Sequence, residues 1–250
     1  MSNATHFSSV AREYATFRPG YPPELFGWLA EQVPEHGAAW DCGCGSGQAS
    51  TALADHFERV HATDVAAEQI AAARPHPRVT YSVAAAQSSG LDAQSVDLVT
   101  VAQALHWFDV EAFYTEARRV ARPGALLAVW TYPRPQLADP ALDRAFFGFY
   151  RDVVGPFWPP ERRHVEANYR TLPFPFAELP HPAFGLEFQW NLEQLAGYAG
   201  SWSATARYRR ETGSDPLPLL RAALAKAWPA GGTALVRMPI VLRAGVLRVR

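Results

Sequence analysis

Apolar residues in the first half of the chain form short continuous runs that alternate with segments of helical spacing. The runs are typical of buried strands, and apolar residues three or four positions apart are typical of helices. This alternation predicts a parallel, doubly wound sheet that binds ligands at the carboxyl ends of its strands. The predicted strands are residues 38–42, 59–64, 79–83, 96–101 and 125–130, and the predicted helices are residues 22–32, 48–57, 68–73 and 110–120.

The pattern changes after Tyr132. Residues 133–185 contain 10 of the 21 prolines and many aromatic residues, so we interpret them as a cap or insertion over the sheet rather than a linker. The remainder predicts a strand near residues 186–191, helices near 192–199 and 217–228, and a closing strand over 240–250, where Gly245 favours an antiparallel hairpin or edge strand.

We therefore expect one α/β domain over residues 1–250, with a Rossmann-like, mostly parallel sheet, an antiparallel C-terminal hairpin and a helical, aromatic cap. Its expected parts are an N-terminal segment (1–21), a cofactor-binding core (22–132), the cap (133–185) and C-terminal strands and helices that complete the sheet (186–250).

Composition narrows the choice of partner. The chain is 48% hydrophobic, and 23 basic residues nearly cancel 24 acidic ones, so no overall field favours nucleic acid. Without a long apolar run or the features of a secretory signal, we expect a cytoplasmic protein that does not enter a membrane. The two cysteines, Cys42 and Cys44, lack a second pair or a histidine cluster, so we expect no metal.

Three glycines spaced two apart, Gly43, Gly45 and Gly47, join the first predicted strand to the next helix. Such a turn can bring the backbone against a ligand, and the helix offers free N–H groups. A dinucleotide fingerprint would place a third glycine where this chain has Gln48, so that motif fits poorly. The acids Asp41, before the turn, and Asp64, at the end of the next strand, favour another nucleoside cofactor, although an acid like Asp64 also occurs in nicotinamide enzymes.

Four segments, in order, resemble the motifs of class I S-adenosylmethionine-dependent methyltransferases, and the resemblance covers at least residues 1–132. The segment over residues 96–108 includes Gln103-Ala104-Leu105-His106-Trp107-Phe108, which is similar to the "hWf" motif of the small-molecule (type 11) members. The segments are residues 41–47, Asp64, residues 96–108, and residues 116–127, which are similar to "e..RvLkpGG.l".

The resemblance implies S-adenosylmethionine as the cofactor. It implies that the turn approaches the methionine and ribose, that Asp64 accepts both ribose hydroxyls, and that Gln103 lies at a strand end that faces the cofactor. The chain has Ala84-Ala85-Ala86-Gln87 where the family often has an acid near the adenine. The residues expected to bind cofactor in this core are Asp41, Gly43, Cys44, Gly45, Gly47, Asp64, Ala85, Ala86, Gln87 and Gln103.

The N-terminal residues 7–22 resemble the "YakyRPgYP" start of the methyltransferases grouped with trans-aconitate methyltransferase, in which this segment folds over the cofactor. Residues 198–204 and 238–243 resemble that branch as well. The resemblance implies that Tyr14, Arg18 and Tyr21 close the pocket, with Tyr14 and Arg18 toward the cofactor and Tyr21 toward the substrate.

His106 is the candidate catalytic residue, because it follows the fourth strand near the expected methyl acceptor. A carboxylate acceptor needs no base, whereas a hydroxyl would benefit from a histidine. Trp107 and Trp202 are candidate substrate contacts that could equally serve in packing. We expect methyl transfer to a small-molecule carboxylate or hydroxyl by in-line displacement, in a monomer or homodimer. An NAD(P)-dependent oxidoreductase and a non-catalytic cofactor-binding protein remain alternatives.

Overall fold

The computed structural model describes residues 20–247. The helices, in chain order, are α1 (Pro23–Glu31), α2 (Gln48–Leu53), α3 (Ala67–Ala71), α4 (Val110–Val120), α5 (Pro140–Gly148), α6 (Arg162–Glu166), α7 (Leu192–Gly200), α8 (Ser203–Thr212) and α9 (Leu217–Ala225). The strands are β1 (Ala38–Cys42), β2 (Arg59–Asp64), β3 (Val79–Val83), β4 (Val96–Ala102), β5 (Ala121–Thr131), β6 (Gln136–Leu137), β7 (Phe184–Trp190) and β8 (Ala234–Val246).

The chain forms two compact units. The first, here called the sheet unit, comprises Gly20–Pro133, Arg163–Phe184 and the residues from Ile240 onward. The second, here called the helical unit, includes Arg134–Arg162 and Gly185–Pro239. The predicted cap is thus divided, since residues 163–184 pack with the sheet unit. The role of residues 134–162 as a cap stays a prediction.

The sheet unit contains the predicted parallel sheet. Its strands lie in the order β3-β2-β1-β4-β5-β8, and β1 to β5 pair in parallel. All five residues of β1 are buried, because helices and loops cover both faces of the sheet. Trp40 packs against Phe113 on one face, and Trp130 packs against Phe26 on the other. The apolar runs that form β1, β4 and the second half of β5 are therefore strands buried on both faces.

The C-terminal strand is antiparallel, but it is one continuous strand rather than the predicted hairpin. Residues 241–246 of β8 pair with residues 131–126 of β5. Gly245 lies within this pairing and forms no turn. A Cβ atom at Gly245 would lie 2.8 Å from the carbonyl oxygen of Ala177 and 2.8 Å from Cβ of Phe176. The glycine therefore allows a close approach of residues 176–177 to the strand.

The amino ends of the central strands are joined by a buried carboxylate. Asp97 accepts a hydrogen bond from the backbone N–H of Ala38 at 2.8 Å and pairs with Arg122 at 2.9 Å. The three residues belong to β4, β1 and β5. Asp97 thus fixes the sheet at the end opposite to the one where ligands are expected.

The helical unit has its own apolar core, with Phe146, Leu195, Leu220 and Val236 fully buried. Its helix α7 begins with a capping box in which Asn191 and Gln194 exchange hydrogen bonds. Strands β6 and β7 pair with β8. Helix α8 was not predicted, because its polar sequence buries little more than Ala204 and Thr205. Across residues 20–247, no helix combines the length and apolar character needed to span a bilayer.

Candidate functional site

The glycine turn between β1 and α2 requires glycine for two physical reasons. Gly43, Gly45 and Gly47 have φ values of 71°, 54° and 83°, in the left-handed region. A Cβ atom at Gly43 would lie only 2.6 Å from Cβ of Ala104, and one at Gly47 would overlap the ring of Tyr81. The turn is therefore packed closely against residues that follow β4 and against β3.

The end of β2 shapes this turn. The carbonyl oxygen of Thr63 accepts the backbone N–H of Gly43 at 2.8 Å and of Cys44 at 3.0 Å. Asp64 accepts the N–H of Gly45 through Oδ2 and that of Ala66 through Oδ1, both at 2.9 Å. A carboxylate offers about four acceptor sites, so the half-buried Asp64 keeps capacity for a ligand diol while the two backbone bonds fix its orientation.

Asp41 lies behind the turn and is fully buried. Its Oδ2 accepts the hydroxyl of Ser50 at 2.6 Å, and its Oδ1 accepts the hydroxyl of Thr100 at 2.9 Å. Asp41 thereby ties β1 to α2 and β4. Burial raises its pKa from 3.8 to about 6, although the two hydroxyls act in the opposite direction. The cofactor contact expected for Asp41 stays a prediction, and the observed contacts position the turn.

The loop after β3 contains the three residues expected near the adenine. Ala86 is buried, Ala85 is partly buried and Gln87 is exposed. Glu116 of α4 anchors the loop through Ser89. Oε1 of Glu116 accepts the backbone N–H of Ser89 at 2.9 Å and the side-chain hydroxyl of Ser89 at 2.5 Å. Hydrogen bonds from Arg119 and Ser89 lower the pKa of Glu116 to about 2, so its carboxylate stays ionised across the physiological pH range.

Two valines beside this loop were not singled out from the sequence. Val65 and Val83 are 57% and 56% exposed, which is unusual for valine. Val65 follows Asp64, and Val83 is the residue paired with Asp64 across β2 and β3. Both exposed valines therefore lie at the carboxyl end of β2, one next to Asp64 in the chain and one next to it across the sheet. Only their exposure distinguishes these two residues, since valine ordinarily indicates core.

Gln103 lies at the carboxyl end of β4 with a left-handed backbone, φ 60°. Its N–H donates to the carbonyl oxygen of Trp130 at 2.9 Å, and its Oε1 accepts the hydroxyl of Thr131 at 2.8 Å. Such strain in a residue other than glycine is commonly found at functional sites. Gln103 follows directly from the strand that lies beside β1, and so lies at the same sheet edge as the glycine turn.

His106 and Trp107 belong to a 3-10 turn, Leu105–Trp107, which follows β4. Their ring centroids are 4.8 Å apart. Nδ1 of His106 lies 3.0 Å from the hydroxyl oxygen of Tyr169. Tyr169 was not selected from the sequence, because it lies 63 residues further along the chain.

The remaining expected contacts have three different kinds of surroundings. Tyr21 packs edge-on against Trp130, with ring centroids 5.4 Å apart. Trp202 belongs to the helical unit, where it is 3% exposed and surrounded by Phe146, Tyr150, Trp158 and Tyr198. Its burial favours the packing alternative over substrate contact. Tyr14 and Arg18 lie outside the described residues.

Cys42 and Cys44 carry free, buried thiols. Burial raises the pKa of both thiols, which therefore stay protonated. Within residues 20–247, no three His, Cys, Asp or Glu side chains are grouped so that they could hold a metal ion.

Comparison with known proteins identifies the family. Residues 40–129 match a methyltransferase domain family. A Dictyostelium discoideum protein named as a methyltransferase is 31% identical over 225 residues, which cover 89% of this chain and 86% of the relative. The chain belongs to the class I S-adenosylmethionine-dependent methyltransferases. Its cofactor is therefore S-adenosylmethionine.

Two further proteins support this assignment. A Saccharomyces cerevisiae protein named as an S-adenosylmethionine-dependent methyltransferase is 25% identical over 81% of this chain and 82% of its own. A solved structure of an Anaeromyxobacter dehalogenans protein, titled as a type II methyltransferase, is 50% identical, covers 94% of this methyltransferase and 100% of its own chain, and superposes with a TM-score of 0.86. The expectation of a methyltransferase is confirmed, whereas the trans-aconitate branch stays a prediction.

The contact at Gly43 gives a first prediction. Gly43→Ala should weaken S-adenosylhomocysteine binding at least tenfold and lower the free energy of unfolding by about 2–4 kcal/mol, because it adds a steric overlap with Ala104 to an unfavourable φ. Calorimetric titration and urea unfolding measure the two effects. Gly90→Ala is the matched control, since Gly90 has a φ of 76° but open space around its Cβ position. Equal effects of the two variants would contradict the steric explanation.

A second prediction concerns Asp41. A carboxyl whose pKa rises on folding binds more protons in the folded state between pH 3.8 and about 6, so its contribution to stability falls as pH rises through that window. Asp41→Asn removes this titration. The free energy of unfolding of the variant, relative to wild type, should therefore increase by up to about 3 kcal/mol between about pH 4 and about pH 7.

Urea unfolding at several pH values measures this difference. Ser50→Ala retains the Asp41 charge but removes one donor, and should lower the free energy of unfolding by about 1–3 kcal/mol at neutral pH. A difference between Asp41→Asn and wild type that does not change with pH would contradict the raised pKa.

Proposed function

We propose that this methyltransferase transfers the methyl group of S-adenosylmethionine to an oxygen atom of a small molecule, a carboxylate or a hydroxyl, and that His106 acts as the base for a hydroxyl. The observation that supports this proposal most is the close approach of Gly43 to Ala104. It joins the turn expected to hold the cofactor to the residues just before His106.

The contacts of the turn suit the two halves of the cofactor differently. Gly43, Gly45 and Gly47 offer a backbone surface without side chains to the methionine and ribose. Asp64 has acceptor sites for the ribose hydroxyls, and the exposed Val65 and Val83 offer an apolar surface to the adenine. Ala85, Ala86 and Gln87 would border that surface. These roles follow from the hydrogen-bonding capacity and exposure of each residue.

The bound cofactor supplies a methyl carbon that is already activated by its positive sulfur, so that the acceptor oxygen bonds to this carbon as the C–S bond breaks and its electron pair stays on sulfur. The protein therefore has to align the acceptor and exclude water. For a hydroxyl acceptor, Nε2 of His106 would take the proton, because Nδ1 is engaged by Tyr169. An ionised carboxylate acceptor has no proton to remove.

A small acceptor agrees with the charge of the chain. Its formal net charge of −1 provides no long-range attraction for a polyanion. Two of the three arginines on α8 are paired, Arg207 with Glu211 and Arg209 with Asp215. Trp107, partly buried beside His106, is the proposed acceptor contact within the sheet unit.

The role of Asp64 generates a third prediction. Asp64→Asn keeps the size of the side chain but removes its charge and one acceptor oxygen, so the dissociation constant of S-adenosylhomocysteine should rise 10- to 100-fold. Asp97→Asn is the matched control, because the Asp97 carboxylate also accepts a backbone N–H but lies at the opposite end of the sheet. The control should lose stability and retain affinity. Unchanged affinity in Asp64→Asn would remove Asp64 from the site.

The choice of acceptor is tested by methyl transfer from labelled S-adenosylmethionine onto a panel of small carboxylic acids, phenols, alcohols and amines. We expect products from oxygen acceptors. His106→Asn should lower kcat at least 100-fold for a hydroxyl acceptor and leave a carboxylate acceptor within about threefold of wild type. Transfer to amines alone, or an equal loss for both kinds of oxygen acceptor, would contradict the proposal. Micromolar binding of NAD(H) without binding of S-adenosylhomocysteine would contradict the cofactor assignment.

A further inference from the structure

Tyr169 lies in an unusual stretch of backbone. Asn168 and Tyr169 have φ values of 54° and 56°, in the left-handed region, although neither is glycine. A bulky residue in this conformation costs free energy and persists only where the surroundings hold it. The segment lies outside residues 40–129, which match the methyltransferase domain family.

Arg243 of β8 holds this stretch in place. Its Nη1 donates to the carbonyl oxygens of Tyr169 at 3.2 Å and Leu172 at 3.1 Å. Its Nη2 pairs with Glu178 at 2.7 Å, and its guanidinium carbon lies over the ring of Phe174, 4.6 Å from the centroid. One arginine therefore contacts four residues of the segment and supports the left-handed turn.

The consequence is a phenol placed inside the core. Tyr169 has no solvent exposure, and its hydroxyl oxygen lies 3.0 Å from Nδ1 of His106. His106 is itself only partly buried. A buried hydrogen bond to one ring nitrogen restricts rotation of an imidazole and selects its tautomer. The strained turn thus brings a fixed hydrogen-bonding partner to the candidate base.

We propose that Tyr169 is a positioning residue for His106: its hydroxyl oxygen accepts the Nδ1–H and so selects the tautomer in which Nε2 carries no proton. This inference rests on the proposed function, because a base must present an unprotonated nitrogen. The phenol can accept the same hydrogen bond before and after Nε2 takes a proton. It therefore holds the ring in one orientation throughout the transfer.

The tautomer of His106 tests this proposal in the unmodified protein. Long-range proton–nitrogen NMR of the full chain with ¹⁵N-labelled histidine, at about pH 8 where imidazole is neutral, distinguishes the two tautomers. The signals of His106 are those that disappear in His106→Asn. We expect the Nδ1–H tautomer in the wild type. The Nε2–H tautomer would overturn the proposal without any need for a Tyr169 variant.

Tyr169→Phe removes only the hydroxyl, and Tyr114→Phe is its matched control. Tyr114 is also buried, and its hydroxyl donates to Pro173 of the same segment at 2.8 Å without touching His106. Tyr169→Phe should give His106 a mixture of tautomers and lower kcat for a hydroxyl acceptor about tenfold, with affinity for S-adenosylhomocysteine within twofold of wild type. Tyr114→Phe should leave the tautomer unchanged.

The two proposals fail in different ways. Equal changes of the His106 signals in Tyr169→Phe and Tyr114→Phe would show that Tyr169 is merely structural, whatever the acceptor. Suppose that Tyr169→Phe gives a mixture of tautomers, Tyr114→Phe does not, and His106→Asn is fully active. Tyr169 would then be shown to orient His106, and the role of His106 as the base would be overturned.

Discussion

The buried carboxylate of Asp41 is the interaction on which the arrangement of the site depends. Ser50 and Thr100 donate to its two oxygens, so one side chain joins the strand before the glycine turn to the helix after it and to β4. The glycine turn and the residues that follow β4 therefore both begin at elements that Asp41 joins. Burial makes the carboxylate costly, and the two hydroxyls offset part of that cost.

At the end of β2, too, one carboxylate holds several backbone elements together. Asp64 orients itself by accepting the N–H groups of Gly45 and Ala66, and those bonds also set the shape of the glycine turn. Asp64, which shapes the glycine turn, is therefore also the residue proposed to bind the ribose. The geometry of the turn and the direction of the carboxylate cannot change independently, so cofactor binding and local folding depend on one set of contacts.

The sequence predicted what depends on local pattern. The predicted bounds of β1, β2 and β3 match the structure to the residue, because each strand is a short run bounded by helical patterns or turn residues. Complete burial was not required, since β1 is buried throughout whereas three of the five residues of β3 are exposed. The hairpin predicted at Gly245 was wrong, because a glycine in a strand indicates either a turn or a close approach of another segment. The residue that approaches Gly245, Phe176, is distant in sequence. Helix α8 lacked an apolar stripe. Tyr169 could not be predicted, since its contact with His106 depends on a left-handed turn held by Arg243.

This difference separates the two halves of the proposed site. The cofactor half is built from short-range features, a strand, a turn and a helix, whose glycines and acids are visible in the sequence and coincide with the matched residues 40–129. The acceptor half depends on a contact between His106 and Tyr169, which are 63 residues apart. Tertiary packing creates this contact, and no local sequence pattern predicts it. Sequence comparison of the matched region therefore identifies the methyl donor, whereas the acceptor depends on segments whose position only the folded chain reveals.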